Sequence, residues 1–177
     1  MKMIRLEKFD KIFYSELINS IKNAKDLMQF GGPEFTFPLT EEQINKTLSD
    51  KKRIAFRVVN AFDESTVGHC EIYFKDDSAK LGRILIIDEK QRGKGIGEQI
   101  VVLLLQFILE NRKERNVELN VFDFNIGAIK CYEKVGFNIN PDKKLTRKVD
   151  DEIWTAINMT IDLNWNNIGE KIKFKNR

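Results

Sequence analysis

The segment Arg92-Gly93-Lys94-Gly95-Ile96-Gly97 follows the apolar run Ile84-Leu85-Ile86-Ile87 and opens a long apolar stretch. Glycines at alternate positions allow backbone conformations closed to other residues and let a ligand come close to the main chain. The unsatisfied N–H groups of a helix's first turn, together with the positive end of its dipole, form an anion site. Arg92 and Lys94 add charge beside it. The segment reads as a pyrophosphate cradle, with a ligand-free tight turn as the plainer alternative. It is not a Walker A motif, because no Gly-Lys-Ser/Thr follows at the required distance, and Gly93, Gly95 and Gly97 lack the G-x-G-x-x-G spacing. A second pattern comprises Asn125, Ala128, Tyr132, Gly136 and Phe137. In Val67 to Phe74, alternation puts Cys70, Ile72 and Phe74 on one face and His69, Glu71 and Tyr73 on the other. His69 and Glu71 read either as an acid/base pair or as part of a polar strand face. Cys70 and Cys131 read as small core residues.

The elements that must position these groups follow from periodicity. Met3 to Leu6 reads as a short strand and Asp10 to Lys22 as a helix. A Gly/Pro loop at Gly31 to Pro38 comes next, and Thr40 to Gln43 reads as a capping box for a helix ending near Leu48. Arg53 to Asn60, Thr66 to Lys75 and Lys80 to Ile87 read as strands. A central buried helix follows from about Gly95 to Asn111. After it come a strand at Val117 to Phe122, a helix at Ile126 to Val135 and an antiparallel ending that includes Ile153 to Leu163. This order predicts a mixed α/β (α+β) fold, without the regular βαβ alternation of a Rossmann domain.

Composition narrows the class. The 177 residues, 42% hydrophobic and 32% charged, predict one domain over residues 1–163 and a basic tail over 164–177. The net charge is +3, and the tail's Lys171, Lys173, Lys175 and Arg177 against Glu170 carry all of that excess. A neutral remainder without a basic stripe argues against a nucleic-acid partner. The apolar runs are too short to span a bilayer, the start lacks a signal-peptide core, and two well-separated cysteines with one histidine offer no metal site. The expectation is a cytoplasmic protein with reduced thiols, no membrane partner and no metal.

The two glycine- and tyrosine-bearing patterns together resemble the GNAT N-acetyltransferases. Arg92, Gly95 and Gly97 match that family's Q/R-x-x-G-x-G/A motif. Asn125, Ala128, Tyr132, Gly136 and Phe137 match N-x-x-A-x-x-x-Y-x-x-x-G-F at every defined position, in the right order. The resemblance implies a central, mostly antiparallel sheet of about seven strands flanked by about four helices. It implies acetyl-CoA as co-substrate and direct attack by a primary amine in a ternary complex. Backbone amides from Arg92, Gly93, Lys94, Gly95, Ile96 and Gly97 would hold the CoA pyrophosphate. Leu85, Ile86 and Ile87 would hydrogen-bond the pantetheine and acetyl carbonyl as an added strand does. Asn125 would contact the pantetheine region or cap a helix, with Ala128 one turn on. Lys130 and Lys134 would reach the 3′-phosphate or face solvent. Tyr132 would supply a proton to the departing thiolate, a phenol near pKa 10 beside a thiol near 8.5. Glu71 is the first candidate for general base and Glu34 the second.

The stretch Phe35-Thr36-Phe37-Pro38-Leu39-Thr40 also resembles the acceptor loop of the bacterial ribosomal-protein N-terminal acetyltransferase-like branch. The acceptor implied is therefore a small-molecule amine or a peptide N-terminus, and a homodimer is compatible. A non-catalytic acyl-CoA-binding regulatory module is the alternative reading.

Overall fold

Alternation and helical spacing resolve into seven strands and five α-helices in a computed structural model that describes residues 3–164. Strand β1 (Ile4–Lys8) is followed by a 3-10 turn at Lys11–Phe13, helix α1 (Tyr14–Ser20), helix α2 (Ala24–Gly31) and helix α3 (Glu41–Leu48). Then come β2 (Arg53–Asn60), β3 (Thr66–Phe74), β4 (Ser78–Ile86), helix α4 (Ile96–Asn111) and β5 (Asn116–Phe122). Helix α5 (Ile126–Val135), β6 (Asn138–Val149) and β7 (Glu152–Asp162) complete the order.

The expected strands and the two later helices are present, and the helix count is five where about four were expected. The segment expected as one helix over Asp10 to Lys22 is shorter, because the backbone turns extended at Ile21. The added helix is α2, which Asn23 starts by accepting from the Asp26 N–H at 2.9 Å. It spans eight residues and buries only Leu27 and Phe30, too little periodicity to stand out in the sequence. Thr40 caps α3 as its spacing predicts, accepting from Gln43 N–H at 3.4 Å. The basic stretch at 164–177 lies outside the described residues, except for Asn164.

The strands form one sheet in the order β1-β2-β3-β4-β5-β7-β6, antiparallel except where β4 runs parallel to β5. One face packs on α4 and α5. Ile100, Leu104, Leu105 and Ile108 of α4 are fully buried there with Val58, Cys70, Ile72, Leu81, Val117, Leu119 and Met159. Each such Leu or Ile contributes about 1.5–3 kcal/mol. The other face, beneath α1 to α3, holds a second cluster built from Phe9, Tyr14, Leu17, Leu27, Phe30 and Phe35. Both cysteines are free thiols, and Cys70 belongs to the first core. Among the described residues, no helix is long and apolar enough to cross a membrane, and no group of three or more His, Cys, Asp or Glu side chains could hold a metal ion.

Two irregularities in β4 distort the middle of the sheet. The pairing of β4 with β5 runs only from Ser78 opposite Asn116 to Leu81 opposite Leu119. Beyond that point residues 82–86 and 120–122 diverge, and the sheet forks. On its other edge β4 pairs with β3 through a bulge, since Arg83 and Ile84 oppose Cys70 alone between the Glu71–Gly82 and His69–Leu85 pairs. Arg83 takes a left-handed conformation there, φ 49°. A non-glycine residue held so costs about 1–3 kcal/mol and persists only where its surroundings fix it.

Candidate active site

The fork opens into a cleft of about 1350 Å³, lined by residues 28–34 around the end of α2, 80–90 from β4 onward, 119–122 of β5, and one side of α5. Drug-sized ligand pockets run from about 300 to 1,000 Å³. The cleft therefore has room for an extended ligand and a second small molecule.

At one end lies the glycine segment. Gly93 and Gly95 both have positive φ, 76° and 79°, and a Cβ at either position would meet no atom within 4 Å. Gly95 is the N-cap of α4 and offers no side chain to the first-turn N–H groups. A ligand could satisfy those groups, so the turn has both the open space and the uncapped donors that an anion needs. Arg92, Gly93, Gly95 and Gly97 line the cleft. Ile96 instead buries its side chain in the core, and among the cleft-lining residues its neighbour Lys94 does not appear. Arg92 pairs with Glu89 at 3.0 Å, and Lys94 donates to the Gln91 side chain at 3.4 Å. Leu85, Ile86 and Ile87 line the wall as expected, and the Ile87 N–H is already given to Val67 O at 2.9 Å.

Helix α5 supplies the opposite wall. Asn125 caps it, its side-chain oxygen accepting from Ala128 N–H at 3.3 Å, and both residues line the cleft with Lys130 and Tyr132. Gly136 closes the helix in a left-handed conformation, and the N–H groups of Gly136 and Phe137 both donate to Tyr132 O at 3.1 Å. The Asn, Ala, Gly and Phe of the second pattern thus fix both ends of the helix that carries Tyr132. Its ring packs edge-on to Phe137, centroids 6.2 Å apart. Tyr132 is half-buried, and burial, with a smaller push from Cys131, holds its phenol well above the usual tyrosine pKa. The hydroxyl keeps its proton at physiological pH.

The third wall is one that the sequence did not assemble. Glu71 is buried, and its Oε1 faces His69 Nε2 at 3.0 Å. Arg53 Nη1 donates to Glu71 Oε2 at 2.8 Å, and Arg83 Nη1 reaches both carboxylate oxygens, at 3.2 and 3.0 Å. Burial alone would raise the Glu71 pKa, but the His69 hydrogen bond and the two guanidiniums overcome it and hold the carboxyl down at about 2. Because Glu71 is ionised, His69 donates its Nε2–H to it. Glu34 accepts from Arg53 at 3.1 Å and also pairs with Arg83, whose guanidinium lies 4.0 Å over the Phe35 ring. Both sequence candidates for a base therefore sit in one network, each already held by the same two arginines. Arg53 and Arg83 escaped the sequence reading. The only local signal was a charge inside the apolar run Leu81 to Ile87, and the bulge that turns it inward has no marker in residue type.

The network carries a stability prediction. Glu71→Gln keeps the shape and leaves two buried guanidiniums short of a counter-charge, a loss of about 3–5 kcal/mol. The melting temperature should fall by roughly 10 °C, read by thermal unfolding at neutral pH. The sign with pH follows from a folded pKa below the unfolded value of 4.5. Glu71's stabilisation is complete above about pH 4.5 and drains away as pH falls toward 2. The variant's stability should therefore vary less with pH across that window, and a wild-type-like slope would refute the assignment.

A sheet forked beside an uncapped, glycine-led helix start is an architecture suited to an extended ligand with an anionic end. The profile of the Acetyltransferase (GNAT) family matches residues 23–137, and the chain belongs to that family. It is similar to the spermine/spermidine N(1)-acetyltransferase of Bacillus subtilis (strain 168), 36% identical over 69 residues, which cover 37% of this chain and 45% of that protein. It is also similar to YokL, an uncharacterized SPbeta prophage-derived N-acetyltransferase of Bacillus subtilis (strain 168), 30% identical over 98 residues, 55% of this chain and 52% of that one. The chain thus spans about half the length of the curated relatives it matches.

Among solved structures, spermidine N-acetyltransferase from Vibrio cholerae in complex with CoA and spermine superposes with a TM-score of 0.74 at 21% identity, covering 91% of this chain and 96% of that one. An aminoglycoside acetyltransferase in complex with coenzyme A gives a TM-score of 0.68 at 17% identity, covering 90% and 94%. These two likenesses establish the shared fold. None of these relatives is named as a ribosomal-protein N-terminal acetyltransferase. Phe35 is buried against Phe30 and Arg83, and among the cleft-lining residues neither Phe35 nor Phe37 appears. The narrower resemblance gives way to the family as a whole.

Proposed function

We propose that this protein transfers an acetyl group from acetyl-CoA to the primary amine of a small molecule, the two ligands meeting at the fork between β4 and β5. The observation that carries this reading is the meeting, in one cleft, of an uncapped glycine-led helix start, a diverging strand edge and a half-buried, protonated phenol. Acetyl-CoA supplies a thioester whose carbonyl carbon accepts an amine. The first-turn N–H groups of α4 and the backbone at Gly93 to Gly97 hold its phosphates, with Arg92 and Lys94 adding charge. The free edge of β4 beyond Leu81 aligns the extended arm by main-chain hydrogen bonds.

Tyr132 keeps a proton on its hydroxyl and gives it to sulfur as the new N–C bond forms and the C–S bond breaks. The amine nitrogen releases one proton to water, and one proton returns to Tyr132, so the sum is amide plus free thiol. Glu71, a weak base at a pKa of about 2, positions Arg83 and Arg53 instead of removing the amine's proton.

Two measurements test the reading. Titration calorimetry should give micromolar binding of acetyl-CoA. At a hundredfold excess over Kd, mass action adds about 2.7 kcal/mol, raising the melting temperature by roughly 5–10 °C. Thiol release across amines, including spermidine and a short peptide, then separates an enzyme from a CoA-binding regulatory module, which would bind without turnover. Absence of CoA binding at millimolar concentration would overturn the proposal.

A further inference from the structure

The fork has a primary amine of the chain's own at its root. On β4, Ala79 and Leu81 belong to the α4 core, as do Val117, Leu119 and Val121 on β5. Alternation therefore sends Lys80, Glu118 and Asn120 to the opposite face, the one beneath α1 to α3. Lys80 stands opposite Glu118, one pair before the last rung between the two strands. Its Nζ lies 3.1 Å from the Asn120 carboxamide, whose oxygen accepts when turned toward it. Asn120 is the first residue of β5 beyond that last rung, so the Lys80 side chain reaches past its own rung to where the strands part.

Lys80 also differs from the other lysines that line the cleft. Lys22, Lys75, Lys90, Lys130 and Lys134 are exposed, whereas Lys80 is half-buried. The carboxylate opposite it, Glu118, pairs with Lys75 and Lys143 instead. Burial lowers the Lys80 ammonium below the usual lysine range; Lys75 and Lys143 repel it further, and the pull of Glu118 and Glu34 does not cancel the effect. A larger share of this side chain is thereby the neutral, attacking amine.

The thioester comes to the same place. CoA carries its phosphates at one end and its sulfur at the other. With the phosphates at Gly93 to Gly97 and the arm along the free edge of β4, the sulfur lies toward Leu81. Gly82 to Ile87 spans roughly 20 Å when extended, about the length of that arm. The acetyl group is then delivered to the root of the fork from the α4 side, with the Lys80 amine across from it.

We propose that Lys80 is an acceptor within the chain, and that the protein acetylates its own Lys80 Nζ from acetyl-CoA when no other amine fills the cleft. The inference rests on the amine-acetylation reading. Nζ forms the N–C bond to the thioester carbonyl carbon and the C–S bond breaks. Two protons leave the original ammonium: one goes to solvent, and the other matches the proton that sulfur takes from Tyr132. The sum is acetyl-lysine, free thiol and one proton.

The test incubates the full chain with acetyl-CoA alone and follows it by intact mass and peptide mapping. One acetyl group per chain should appear on Lys80, about tenfold or more faster than on any exposed lysine, a small part of what a held neighbour gains in effective concentration. The rate constant should not depend on protein concentration, as a step within one molecule requires. Unfolding in urea should abolish the selectivity, and desulfo-CoA should suppress the modification. Lys80→Arg should remove it, and if that variant fails to fold the wild-type map decides alone. Calorimetry with CoA and thiol release across added amines run in parallel. If amines turn over while Lys80 stays unmodified, or is modified no faster than exposed lysines, the inference is overturned and the acetylation reading stands. Selective modification of Lys80 supports the inference even where no added amine turns over. If CoA does not bind, both fall.

Discussion

Tyr132→Phe should lower kcat by roughly ten- to a thousandfold, the usual scale for losing a positioned general acid. The ring packs against Phe137 and the α4 core, and phenylalanine keeps those contacts. The melting temperature and CoA affinity should therefore change little. The hydroxyl acts when the C–S bond breaks, so the defect should fall on kcat far more than on KM. The phenol's raised pKa sharpens the expectation. It stays protonated through neutral and mildly alkaline pH, so no decline in wild-type rate should trace to its ionisation below pH 10. Water filling the vacated space would leave the smaller end of the range. Steady-state kinetics with the best amine, across pH and with chemistry rate-limiting, decide the matter. Equal turnover by variant and wild type would reduce Tyr132 to packing.

Gly95→Val should weaken CoA binding about a hundredfold or more, which corresponds to roughly 2.7 kcal/mol. Two effects combine. The left-handed backbone at φ 79° disfavours any Cβ, and a β-branched one most, by about 1–2 kcal/mol. Relaxing that strain swings the first-turn N–H groups of α4 away from the anion they would hold. The new side chain also enters space that is open in the protein alone, where a Cβ meets nothing within 4 Å, so the damage should appear on ligand binding more than on folding. Thermal unfolding should show a loss of only a few degrees. Calorimetry should show heats too small to fit at concentrations that saturate the wild type. A folded variant that binds CoA normally would place the cradle elsewhere.

Local rules reached much of this molecule. Alternation located β2, β3 and β5 to within a residue or two, and the glycines located the start of α4. Asn125 and Gly136 marked the ends of α5 because a cap is a local event, legible from residue type. The network around Glu71 was not legible in that way. Arg53, Glu71 and Arg83 lie on three strands, and their meeting depends on register and on a bulge with an arginine where glycine is the usual occupant. The pairing of His69 with Glu71 on one strand face was legible. What covers that face was not, because α2 is short and Phe9 and Phe30 reach His69 from distant segments.

The four-pair seam between β4 and β5 has a mechanical meaning. It divides the sheet into two leaves, β1 to β4 and β5 to β7, with α4 lying beneath as a spine. Each leaf is internally antiparallel and stiff, while the seam contributes few bonds and runs out before the strands do. The molecule is thus jointed along one line, and the joint coincides with the cleft. A ligand lying along the free edge of β4 replaces the missing rungs and bridges the leaves, so occupancy stiffens the protein where it is weakest. Opening motions concentrate at the seam because the fewest contacts resist them there. Binding and rigidity are then two readings of the same short ladder.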